Sequence, residues 1–146
     1  MKKLFLIFAS ILFTHTAFCQ ITKQSIDYQY FRDTKDYYSF ELFKITSQSN
    51  ASVMLLNFSS NANYDKIEKI YIKSGDRDYR LPFKHSEEIA KSDNPKLKNY
   101  AVSFNASEFM DKRMLCKAQL IFKLDNGINY TLPLNLCDIT DLISKH

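Results

Sequence analysis

The clearest hydrophobic pattern in the chain lies on either side of Gly127. Before it, Cys116, Ala118, Leu120, Phe122 and Leu124 alternate with Lys117, Gln119, Ile121 and Lys123. After it, Ile128, Tyr130, Leu132, Leu134 and Leu136 alternate with Asn129, Thr131, Pro133 and Asn135. A period of two marks half-buried strands, so the two runs predict a hairpin. A two-residue turn at Asn126-Gly127 would pair Phe122 with Thr131 and put the apolar rows on opposite faces. A three-residue loop, Asp125-Asn126-Gly127, pairs Leu124 with Ile128, Phe122 with Tyr130 and Leu120 with Leu132. A one-residue slip flips every side chain, so the pattern selects the second register. Gly127 then takes the left-handed position that such a loop needs.

Gly75 punctuates a second hairpin. Its apolar rows are Ile70 and Ile72 on one side and Tyr79, Leu81 and Phe83 on the other. A Gly75-Asp76 turn pairs Ile72 with Tyr79 and Ile70 with Leu81, and it sets Lys73 opposite Asp78. Further upstream, Ile26, Tyr28 and Tyr30 alternate, as do Tyr38, Phe40 and Leu42. The stretch 53–58 is apolar on both faces, as a central strand should be, and 100–104 reads as another short strand. Two short helical turns are predicted. One follows Ser86, with Glu87 and Glu88 near its positive end, and one follows Asn105, with Glu108 three residues on. About eight strands with short connections predict an all-β fold, an antiparallel β-sandwich of immunoglobulin-like kind, with a barrel as the alternative. The core Trp and the cysteine spacing of antibody domains are missing.

The first nineteen residues stand apart from this pattern. Met1-Lys2-Lys3 is basic, 4–13 is apolar but for Ser10, and Ala17-Phe18-Cys19 ends on small residues at −3 and −1. This is the layout of a cleavable signal peptide over 1–19, too short to cross a bilayer as a helix. The expected product is an exported chain, 20–146, forming a single β-sandwich domain in the periplasm or outside the cell. Cys19 could instead be the acylated residue of a lipoprotein, but that processing wants a small residue before the cysteine, where Phe18 stands.

Removing Lys2 and Lys3 leaves 18 basic residues against 16 acidic ones, so the remainder is close to neutral. No basic tract of five or more exists, and no nucleic-acid partner is expected. Cys116 and Cys137 remain as a pair, and an oxidising compartment favours a disulfide between them. In the predicted register Cys116 faces Leu136, so the bond requires the strand to end or twist near Leu136. Four Asn-x-Ser/Thr triplets, at Asn50, Asn57, Asn105 and Asn129, follow from an Asn-rich composition.

Catalytic side chains are scarce. His85 is the one histidine well inside the chain, and a neighbouring Ser86 does not make a triad, whose members converge in space. Asp76-Arg77-Asp78 lacks the carboxylate spacing of a calcium loop. Two isolated glycines cannot form a phosphate loop. Neither cysteine has a close Cys or His neighbour that would suggest zinc. No cofactor or metal is expected, and no catalytic residue stands out. Tyr28, Tyr30, Tyr37 and Tyr38 form an aromatic N-terminal region suited to anchoring a partner. The function these features predict is a non-catalytic binding or accessory protein of the cell envelope, with a protein, peptide or glycan partner. The alternative is a small secreted hydrolase with paired carboxylates such as Glu87 and Glu88.

Overall fold

The computed structural model describes residues 22–46, 52–86, 94, 96–111 and 113–144. Among them nine strands form two antiparallel sheets: β1 (Thr22–Arg32), β2 (Tyr37–Thr46), β3 (Ser52–Ser60), β4 (Ile67–Ser74), β5 (Arg77–Leu81), β6 (Lys84–His85), β7 (Lys98–Asn105), β8 (Lys117–Leu124) and β9 (Asn129–Asn135). A 3-10 turn spans Ala106–Phe109, and the one α-helix among the described residues, α1, spans Leu136–Ser144. The sheets run β1-β2-β3-β7-β6 and β5-β4-β8-β9. With β1 set aside, β2-β3-β7-β6 and β9-β8-β4-β5 reproduce the strand order of an immunoglobulin-like sandwich, with one strand added at the N-terminal edge.

Both glycine hairpins have the register that alternation predicts. Leu120 faces Leu132 and Phe122 faces Tyr130. Leu124 N–H donates to the Ile128 carbonyl at 2.9 Å across the loop, and Gly127 has φ +85°. Ile72 faces Tyr79, Ile70 faces Leu81, Lys73 faces Asp78, and Gly75 has φ +60°. The apolar rows end sooner than the pattern suggests. Ile128 is exposed, because the loop carries it out of the sandwich. Phe83 lies beyond β5. The chain leaves that sheet after Leu81, passes Pro82 and Phe83, and joins the other sheet, where Lys84 and His85 pair with Ser103 and Val102.

The core fills the space between the sheets. Phe40 on β2, Phe58 on β3 and Phe122 on β8 are fully buried, with Phe122 centred 4.5 Å from Phe58 and 6.2 Å from Phe40. Burying each such ring contributes about 1.5–3 kcal/mol. Asp125 ties one end of the sandwich together. Its carboxylate accepts from the backbone N–H groups of Asp65 and Lys66, both at 3.1 Å.

The C-terminal helix was not predicted by the alternation, which reads Leu136 as strand. β9 stops at Asn135, and Leu136, Ile139 and Ile143 turn one helical face onto the core. Asn135 and Asp138 cap the start reciprocally. Asn135 Nδ2 donates to the Asp138 carboxylate at 2.6 Å, and Asp138 N–H points back at Asn135 Oδ1. Such capping satisfies N–H groups that the first helical turn leaves without partners. The turn after Asn105 is present as the 3-10 segment, with no cap hydrogen bond from the Asn105 side chain. The helical turn predicted after Ser86 lies outside the described residues.

Candidate docking surface

A bulge in β1 decides where the tyrosines go. β1 pairs with β2 throughout, but the register shifts between Ser25 and Asp27. Before the shift Ser25 faces Phe43; after it Asp27 faces Leu42, Tyr28 faces Glu41 and Tyr30 faces Ser39. One extra residue changes the phase of the alternation. Ile26 therefore packs against the core, while Tyr28 and Tyr30 turn to the outer face of the five-stranded sheet. They are 51% and 62% exposed.

Tyr37 joins them from β2. Tyr28 and Tyr37 hydroxyls are 3.2 Å apart, and Tyr37 Oη donates to Ser39 Oγ at 3.3 Å. The Tyr28 and Tyr30 rings stack with centroids 6.0 Å apart. The hydrogen bond with Tyr37, helped by partial burial, pushes the Tyr28 phenol up to about 12. Glu41 and Asn57 continue the same outer face, paired across β2 and β3. Asn57 is 7% exposed, and its Oδ1 has no hydrogen-bond partner. That burial also closes one of the four triplets to glycan attachment in the folded chain. Beyond it, Phe43, Leu55 and Ala101 form a small buried cluster, with Lys23 Nζ 4.0 Å above the Phe43 ring.

Tyr38 lies apart from this surface. Adjacent strand residues point to opposite faces, so Tyr38 turns inward while Tyr37 turns outward. Its ring sits 4.2 Å from Tyr130 and 5.0 Å from Phe31, bridging the two sheets. The structure thus brings together three of the four tyrosines singled out in the sequence. It adds Ser39, Glu41 and Asn57, which alternate with the core residues Tyr38, Phe40, Leu42 and Phe58 and could have been found from that spacing. A groove of about 570 Å³ opens beside Tyr37, lined by Arg32, Asp33, Lys35 and Asn61. Asp33 accepts from Asp36 N–H at 2.7 Å and from Lys35 N–H at 2.8 Å, which holds its carboxyl below the ordinary value.

The other candidates are dispersed. Cys116 and Cys137 form a disulfide with Cα atoms 4.8 Å apart, at the exposed junction where β9 gives way to α1. Leu136 N–H donates to the Cys116 carbonyl at 2.8 Å, so the end of the strand brings the two cysteines within reach. His85 is exposed, its ring 4.8 Å from Tyr100. Asp76, Arg77 and Asp78 are all exposed on their hairpin. Glu87 and Glu88 lie outside the described residues. Glu108 and Asp111 share a cavity of about 210 Å³ with Tyr79 and Arg80. There the Arg113 side chain, and then its backbone N–H, hold the Asp111 carboxyl down at about 2. A general acid of a paired-carboxylate hydrolase needs the opposite shift. Among the described residues no group of three or more His, Cys, Asp or Glu is placed to hold a metal ion, and no helix is long and apolar enough to cross a membrane.

The chain matches no protein-family model, no curated protein and no solved structure.

Proposed function

We propose that the protein is an exported, non-catalytic binding or accessory module of the cell envelope, acting in the periplasm or outside the cell. Its docking surface is the β1 side of the five-stranded sheet, and its partner is a protein, peptide or glycan. The observation that carries this reading is the exposure of Tyr28 and Tyr30 beside Tyr37 on one sheet face. Exposed tyrosines offer large, rigid contact area with a polar tip at low entropic cost. The disulfide agrees with export into an oxidising compartment, and the basic-apolar start of the chain supplies the route.

The test is a binding screen of the purified chain against envelope polysaccharides and extended peptides. Tyr28→Ala/Tyr30→Ala runs in parallel. A ligand should bind the unaltered chain and lose about tenfold or more in affinity with the double variant. A ligand that binds both equally well would remove this face from the proposal.

A further inference from the structure

Among the described residues four strands lie at the edges of the two sheets: β1, β6, β5 and β9. A sheet edge offers unpaired backbone N–H and C=O groups, and proteins normally blunt it with short length, charge or proline. Three of these edges are blunted. β6 has 2 residues. β9 carries Pro133 within its span. β5 has 5 residues, of which Arg77, Asp78 and Arg80 are exposed charges. β1 is different. It runs for 11 residues without proline, and beyond its bulge the stretch 27–32 holds the exposed rings of Tyr28, Tyr30 and Phe31.

A row of alternating amides and carbonyls is satisfied by another extended polypeptide, and the β1 sequence points to which one. Tyr28-Gln29-Tyr30 reads the same in both directions. A two-fold axis perpendicular to the sheet pairs residues of equal parity, so the pairing is centred on a residue. Centred on Gln29, it sets Tyr28 opposite Tyr30 of the second copy, twice, and Asp27 opposite Phe31 of the second copy. Aromatic cross-strand pairs are favourable, and no like charges meet. Centring on Asp27 would oppose two Asp27 carboxylates. Centring on Tyr30 would oppose Asp27 and Asp33. Centring on Tyr28 would run the pairing into the bulge at Ser25 and Asp27.

We propose that β1 pairs antiparallel with β1 of a second copy, centred on Gln29, joining two five-stranded sheets edge to edge. Tyr28, Tyr30 and Tyr37 of both copies then lie on one continuous outer face. Gln29 sits on the inner side of the strand, where its Nε2 donates to Asp27 Oδ1 at 2.9 Å. A substitution there leaves the tyrosine face intact, so this pairing and the docking reading stand or fall separately.

Sedimentation equilibrium of the purified chain should show a monomer–dimer equilibrium that shifts with dilution. Gln29→Lys puts two ammonium groups opposite each other and should weaken self-association about tenfold, with the near-ultraviolet circular dichroism unchanged. Gln29→Cys should oxidise to a covalent dimer about tenfold faster than Arg80→Cys on the β5 edge, whereas Tyr28→Cys should not. A chain that stays monomeric up to about 1 mM, where only interactions weaker than about 4 kcal/mol are missed, overturns the proposal. So does a Tyr28→Cys dimer that forms faster than the Gln29→Cys one.

Discussion

Lys44 Nζ donates to the carbonyl oxygen of Ile143 at 2.9 Å, joining β2 to the last turn of α1. Lys44 lies on β2 opposite Met54, on the inner side, and is 6% exposed. The final carbonyls of a helix have no partners within it, and a positive charge there meets the negative end of the helix dipole. Lys44→Ala should lower unfolding stability by about 2 kcal/mol in urea titrations. The amides of α1 should lose hydrogen-exchange protection before those of β2 and β3.

The disulfide closes a loop of sequence separation 21 between Cys116 and Cys137. Loop-closure entropy for that length corresponds to about 3 kcal/mol. Cys116→Ala/Cys137→Ala should be destabilised by that amount in guanidinium unfolding and should still fold, because Leu136, Ile139 and Ile143 keep their burial. Thiol titration of the denatured parent protein should detect neither cysteine until reductant is added.

The Tyr28 phenol is held near 12 against an ordinary value of 10.0, chiefly by its hydrogen bond with Tyr37. A raised folded value means that the native state keeps its proton longer than the unfolded chain. The stabilising contribution is therefore complete below pH 10 and is lost as pH climbs towards 12. Burial also raises Tyr38, Tyr64 and Tyr100, so several tyrosines titrate late, and tyrosinate absorbance above pH 10 should lose one of these groups in Tyr28→Phe. In Tyr37→Phe the Tyr28 value should fall towards 10.

Gly127 has φ +85°, and a side chain added there would meet nothing within 4 Å. The cost of Gly127→Ala is thus conformational and should be about 1–2 kcal/mol by thermal unfolding. Gly127→Asn should cost less, because Asn visits left-handed backbone more readily.

Much of the fold could be read from parity. The register of both glycine hairpins follows from keeping two apolar rows on one face, and β3 declares itself central because Met54, Leu55 and Leu56 leave no polar side. Parity fails where the backbone changes phase. The bulge between Ser25 and Asp27 separates Ile26 from Tyr28 and Tyr30, although all three share one period in the sequence. Leu136 belongs to two periods at once, the strand row of Leu132 and Leu134 and the helical row of Ile139 and Ile143. The spacing Asn135-x-x-Asp138 is a helix-start signature that could have arbitrated. The docking surface was half visible. Tyr37 and Tyr38 are neighbours on a strand and cannot share a face, so grouping them by composition overlooked simple geometry. That Tyr28 reaches Tyr37 depends on the register across the β1–β2 turn, which composition does not encode.

The strand order has a consequence for how the chain emerges from synthesis or export. β3 pairs on one side with β2, its immediate predecessor, but on the other side with β7, which begins only at Lys98. β4 and β5, both belonging to the opposite sheet, intervene. A nascent chain that has released its first three strands presents the apolar residues Met54 to Leu56 along an unclosed flank until some forty more residues follow. That interval is when a chaperone would find its substrate and when misassembly would begin.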